Sequence, residues 1–287
     1  MAVYERAYRP YAGPMTRERT RFLILAKYAF GDVFKSRLFT IVFAAAFLPI
    51  AVAASWIYLL HNARALAALN VSASQAAAVD IWFFATLTAW QTFFFGGLIT
   101  LFAGPGLVSA DLSHNGLPLY LARPFSRTEY VLGKTLVLVA LLSAITWAPM
   151  LLLFLLQSYL EGWSWFAANL RVPAAVVVGS GVFIALASLF AMAASALAKR
   201  KMVSQTLLLA VVLGGGWVGG VASALLDTKS ALALSPAHVM SAIWQWLFGV
   251  DLEVELSAGL AFFAAAAFCA VTLVILNRKL KAHEVVR

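Results

Sequence analysis

Long apolar runs alternate with short polar stretches along the whole chain. The runs fall at about 38–60, 81–104, 131–157, 173–198, 203–226 and 257–276. Each can form a helix that crosses the hydrocarbon layer of a bilayer, which takes about 20 residues. Backbone in lipid has no water to bond, so a span is either a helix or a strand of a closed barrel. These runs lack the two-residue alternation of barrel strands. The pattern predicts an all-α integral membrane protein with six transmembrane helices, residues 38–276 forming the membrane domain. Pro49 and Pro149 lie inside the first and third runs. Each predicts a kink, because proline has no N–H for the carbonyl four residues back.

The polar stretches carry structure of their own. In the segment from Arg21 to Arg37, a helical wheel places Phe22, Leu25, Ala26, Ala29, Phe30 and Val33 on one face. Arg21, Lys27, Asp32 and Lys35 lie opposite, with Ile24 and Tyr28 blurring the division. This predicts an amphipathic helix on the membrane surface that turns into the first span at Lys35-Ser36-Arg37. Residues 1–37 are polar and Arg-rich, without the short apolar core of a cleavable signal, so the first span is expected to be retained. After the second run, Gly104-Pro105-Gly106 breaks the helix, and Leu117–Leu121 fits a short helix stopped by Pro124, which restricts Arg123. Ser126 and Glu129 have the spacing of a capping box that opens the third helix. The loop at 105–130 therefore reads as an ordered element. On the other side, residues 61–80 are Ala-rich and 158–172 are short and aromatic. Residues 227–256 hold Ile243-Trp-Gln-Trp-Leu-Phe248, which suits a re-entrant or interfacial helix and equally an aromatic anchor at the headgroups.

Composition agrees with this reading and charge orients it. The 287 residues are 63% hydrophobic and 11% charged, against roughly 25% charged in soluble domains. The net charge of +9 comes from 21 basic residues. Eighteen of them fall before the first span, after the second, after the fourth and after the last. Only Arg64, Arg171 and Lys229 lie on the other side. The positive-inside rule then predicts cytoplasmic N- and C-termini, the tail at 277–287 included, in a multi-pass protein of the inner (cytoplasmic) membrane. The excess charge is a topology signal and does not imply nucleic acid.

Chemistry is sparse. The apolar cores of the runs hold no Asp, Glu, Lys, Arg or His, which argues against a proton- or ion-coupled carrier. Gln91, Gln157 and Gln205 read as bonds between helices. Gly215, Gly216, Gly219 and Gly220 allow close helix packing, within the chain by default or between subunits. The four histidines stand alone, with no spacing for a metal. Gly133-Lys134-Thr135 imitates the end of a phosphate-binding loop, but position 128 is Thr where that loop needs Gly. Lone Cys269 forms no internal disulfide. No catalytic, cofactor or metal site is expected on this chain, and it is not expected to be an enzyme by itself.

The stretch from Asp111 through Gly116-Leu-Pro-Leu-Tyr-Leu-Ala-Arg-Pro-Phe-Ser-Arg-Thr-Glu-Tyr-Val-Leu-Gly-Lys134 resembles the cytoplasmic loop of type-2 ABC exporter permeases. Tyr28-Ala-Phe-Gly-Asp-Val-Phe-Lys-Ser-Arg-Leu38 is similar to that family's elbow helix, and Leu234-Ser-Pro-Ala-His-Val-Met240 with Trp246-Leu-Phe-Gly249 to its last outer segment. Ala122 stands where Ser is commoner, and the lead-in after Asp111 carries less charge than usual. The resemblance implies a permease subunit that exports cargo with ATP and Mg bound on a separate chain. It implies two ATP-binding subunits and a second permease copy, a homodimer being the expected arrangement in the bilayer. In that case Asp111, Leu119, Tyr120, Arg123, Pro124, Ser126, Arg127 and Glu129 belong to a coupling helix and its frame. Phe22, Leu25, Phe30, Asp32 and Arg37 belong to the elbow helix. The alternative is a non-transporting membrane scaffold that anchors an ATPase or a maturation complex.

Overall fold

A computed structural model describes residues 20–62, 64, 78–114, 116, 126–251 and 253–281. Among these residues the protein is helical and has no strand. Six stretches are long and apolar enough to cross a membrane: Arg37–Leu60, Ile81–Ser113, Arg127–Glu161, Arg171–Leu197, Lys201–Leu225 and Ala258–Leu280. At about 1.5 Å per residue, even the 23 residues of span six exceed the roughly 30 Å of hydrocarbon. This is the structure of a multi-pass membrane protein.

A helix ahead of the spans, α1 (Arg21–Phe34), ends at Lys35. Span one comprises α2 (Arg37–Ala45) and α3 (Leu48–Leu60), joined by a turn at Ala46–Phe47 just before Pro49. Span two comprises α4 (Ile81–Trp90), a π-helical stretch (Gln91–Gly96) and α5 (Gly97–Ala103), then α6 (Gly106–Ser113) beyond Gly104-Pro105. Span three comprises α7 (Arg127–Ile145) and α8 (Trp147–Glu161), jointed at Thr146. The kinks expected at Pro49 and Pro149 are present, and the π-helical stretch of span two lies beside them.

The three interruptions meet at one side chain. Gln91 Nε2 donates to the carbonyl of Ala46 at 2.7 Å and to that of Ile145 at 2.9 Å. In an unbroken helix Ile145 would accept from residue 149, and proline there has nothing to give. A glutamine of span two supplies the missing donor. The same device recurs at the other break. Pro105 deprives the Leu101 carbonyl of its partner, and Gln205 of span five reaches it at 3.2 Å. Gln157 differs from expectation: its amide donates within its own helix, to Glu161 Oε1 at 3.4 Å.

Span four, α10 (Arg171–Leu197), is the hub against which spans two, three, five and six pack. Its most apolar stretch is 67% buried, whereas those of span one and span five (α11, Lys201–Leu225) are 17% and 11% buried. Next to span three, the short α9 (Trp163–Ala168) lays Trp165 and Phe166 against Phe154, with Phe84 closing the cluster.

Beyond span five the chain makes a 3-10 turn (Lys229–Leu234) and folds back as α12 (Pro236–Phe248), then enters α13 (Ala258–Lys281), the last span. Trp244 is 1% exposed, held between the edge-on ring of Phe93 and the backbone at Gly179. It is a core residue of the described structure. Trp246, 56% exposed, points outward. Arg171 caps the end of α12, Nε donating to the Leu247 carbonyl at 2.7 Å and Nη2 to that of Trp246 at 2.6 Å. A cation at a helix C-terminus also meets the favourable end of the helix dipole. Lys229 pairs with Glu255 on the exposed rim, and that hydrogen bond and charge hold its ammonium pKa above the ordinary lysine value.

Candidate functional site

Asp111, Ser126, Arg127 and Glu129, singled out by sequence, lie where span two ends and span three begins. Ser126 is the N-cap of α7, its Oγ accepting from Glu129 N at 3.2 Å, while Glu129 Oε2 accepts from Ser126 N at 2.7 Å. This is the expected capping box, with two orphan donors satisfied reciprocally. Arg127 follows at the first helical position, half-buried. Leu119, Tyr120, Arg123 and Pro124, and the short helix expected around them, lie outside the described residues.

Asp111 stands on the last turns of α6 and reaches across to α7. Tyr130 Oη donates to Asp111 Oδ2 at 2.6 Å, and Lys134 Nζ pairs with the same oxygen at 2.9 Å. Tyr130 is fully buried, and the Lys134 and Asp111 side chains are 9% and 16% exposed. Lys134 also lies 5.8 Å from the centre of the Tyr130 ring. A charge this far from water is retained only when it is paired and hydrogen-bonded, and here each charge is. The clamp ties the helix that enters the loop to the helix that leaves it.

Gly133 lies between the two clamp residues on α7 and seats α1. A Cβ there would come within 2.8 Å of the Phe22 carbonyl oxygen and 3.3 Å of Leu25 Cδ2. Leu25, Ala26 and Ala29 are buried in this contact, and Phe22 is half-buried. The apolar face read from the wheel is thus used against α7. Leu23, Ile24 and Tyr28 form a second apolar surface that stays exposed, and Ile24 and Tyr28 were the residues that blurred the wheel. Phe30 is 39% exposed and lies tilted against Phe34, which packs edge-on against Phe39 and Phe43 of span one. Asp32 pairs with Lys35 at 2.6 Å in full solvent, and Arg37 is exposed at the first position of α2.

The break before the loop is held from outside. Ser195 of span four accepts from Val108 N and Ser109 N, each at 2.9 Å, and donates to the Pro105 carbonyl at 2.7 Å. It caps α6 from another helix, filling donors that a helix start leaves open. A side chain on Gly104 would overlap Ala191, so the broken span crosses span four at backbone distance. The site therefore reaches spans two, three, four and five, and α1.

Two of the glycines of span five, Gly215 and Gly219, pack inside the chain. A Cβ on Gly215 would lie 3.0 Å from the Leu234 carbonyl, and one on Gly219 3.2 Å from that of Ala231. Gly216 faces Ser235 more loosely, and Gly220 faces open space.

Sequence reasoning did not place Tyr130, Gly133, Lys134 or Ser195 in the site. The first three had a signal, the Tyr-x-x-Gly-Lys spacing, with Lys134 set aside as a topology charge. Gly133 and Lys134 sit in mid-helix, where no phosphate-cradling loop exists. Ser195 had none, being one serine among several in an apolar run. No protein-family model matches the chain, and no curated protein matches it closely enough to count as a relative.

Proposed function

We propose that this chain is the membrane-spanning permease subunit of an ATP-binding cassette transporter of the type-2 class, an exporter of the cytoplasmic membrane. ATP and Mg bind to separate ATP-binding subunits, which dock on the loop between spans two and three. The observation that carries this reading is the role of the motif residues. Tyr130 and Lys134 fasten span three to Asp111 at the other end of the loop, and Gly133 seats α1. A push delivered to the loop enters spans two and three through this clamp, α1 through Gly133, and spans four and five through Ser195 and Gln205. That is the mechanical requirement of a rigid-body switch driven from one surface.

In this reading the loop is the coupling element, with Arg123 and Arg127 orienting the docked subunit, and α1 is the elbow helix. Both termini are cytoplasmic, in keeping with the basic residues on that side. Spans one and five, the least buried, leave faces open to a second copy of the chain.

Co-expression with candidate ATP-binding subunits, followed by purification on a tag carried by this chain, tests the assignment. A complex of two permease copies with two ATP-binding subunits that moves cargo across proteoliposomes is expected. Assembly without movement of any cargo would favour the scaffold, and failure of every ATP-binding subunit to assemble would end the proposal.

A further inference from the structure

Spans one, two and three are each interrupted, whereas spans four, five and six are the single helices α10, α11 and α13. The interruptions lie at one depth, because Gln91 bonds the joint of span one at Ala46 and the joint of span three at Ile145. They divide the three broken spans into two layers. In the layer remote from the 105–130 loop, α3 and α4 both pack on α8. His61 Nε2 lies 3.2 Å from Glu161 Oε1 and joins the ends of spans one and three. Phe84 of α4 meets Phe154 of α8 with ring centres 6.1 Å apart. In the layer next to the loop, α2 packs on α5 and α5 on α7, and Lys134 pairs with Asp111. Each layer is held within itself. Between them run the turn at Ala46–Phe47, the π-helical stretch and Thr146, whose φ of −106° and ψ of −99° are far from helical.

The remote layer closes over polar atoms that it does not satisfy. Thr88 Oγ1 of α4, Gln157 Oε1 of α8, Ser180 Oγ of α10 and Trp244 Nε1 of α12 are buried with no hydrogen-bond partner among the described residues. Gln91 Oε1, at the joint itself, is in the same condition. Only Thr135 Oγ1 and Ser188 Oγ join them from the loop side of the joints. Because α4 packs on α8, α10 and α12, the four atoms of the remote layer belong to one interior. Buried polar groups without partners are costly, and water would satisfy all four. Helices bend at prolines and π-helical stretches, and this layer ends on both. We infer that it is a gate. In this inference α3, α4 and α8 swing as one body about the Gln91 joints, away from α10 and α12. The swing opens a water-filled cleft lined by Thr88, Gln157, Ser180 and Trp244. Gln91 is the latch, since the swing stretches both of its bonds. The cleft lies within one chain, so the inference requires only that the spans cross a membrane and stands apart from the transport reading.

Thiol accessibility of the full chain in lipid nanodiscs, where reagent reaches both faces, tests it. Ser180→Cys and Ser188→Cys are made separately in a Cys269→Ala background and treated with a membrane-impermeant methanethiosulfonate. Both positions are buried on span four, on opposite sides of the joints. Ser180→Cys is expected to label and Ser188→Cys to stay unlabelled. Adding Gln91→Met should speed labelling at 180 about five- to tenfold, the worth of two average hydrogen bonds between membrane helices. Adding Pro149→Ala, which restores an N–H at the joint of span three, should slow it. No labelling at 180 with or without Gln91→Met, equal labelling at 180 and 188, or a rate indifferent to both joint variants would each overturn the inference.

Discussion

Replacing Gln91 by Met keeps the side-chain volume and removes the two donations that join spans one, two and three. Hydrogen bonds between membrane helices average about 0.6 kcal/mol and reach about 1.7, because the unfolded chain in lipid also finds partners. Leaving a carbonyl buried and unmade costs about 1–3 kcal/mol in water-soluble cores, an upper bound here. Gln91 Oε1 is itself buried without a partner, so its removal returns part of the loss. The net cost expected for Gln91→Met is about 1–2 kcal/mol. The cause can be isolated with Pro149→Ala, which restores an N–H to the Ile145 carbonyl. In that background the substitution at 91 should cost about half as much, a coupling of about 0.5–1 kcal/mol between residues with no bond to each other. Equilibrium unfolding in mixed micelles against sodium dodecyl sulfate, followed by tryptophan fluorescence, measures all four variants. Equal costs with and without Pro149 would refute the claim that Gln91 stands in for the missing proline N–H.

Other outcomes follow from the same geometry. Lys134→Met and Asp111→Asn each leave one charge nearly buried beside Tyr130 and should cost about 2–4 kcal/mol in the same assay, with the double variant recovering most of it. Gly133→Leu should drive α1 off α7, read as faster tryptic cleavage after Lys27 with the six spans intact. The Lys229–Glu255 pair is solvent-exposed, so Lys229→Gln should leave stability at neutral pH unchanged and salt should screen the pair. Because the folded Lys229 pKa is raised, whatever the pair contributes is present below the ordinary lysine value of 10.5 and lost as pH rises through the higher folded value. A pH titration of the Lys229 side-chain NMR signal, with and without Glu255→Gln, checks that sign.

The parts of the fold legible in the sequence are those fixed by neighbouring residues. Six apolar runs, two proline kinks and the Ser126–Glu129 cap each depend on spacings of a few positions, so one stretch of chain contains the whole signal. What escaped is long-range. Gln91 reaches residues 45 and 54 positions away, and Ser195 caps a helix 86 positions back. Neither partner can be read from the local pattern. Lys134 was legible as a charge but not as the counterion of Asp111, because the pair closes only when α6 and α7 lie side by side. The burial of Trp244 escaped for the same reason: α12 folds back against span four at Gly179, 65 positions earlier in the chain.

The central claim is that work arrives from another protein at the loop between spans two and three. ATP hydrolysis by the purified complex in proteoliposomes, measured with the wild-type chain and with Arg123→Ala, tests it most directly. The account predicts assembly with an ATP-binding subunit and a hydrolysis rate that changes when Arg123 is replaced. An unchanged rate in an intact complex, or a chain that assembles with no ATP-binding subunit, would contradict it.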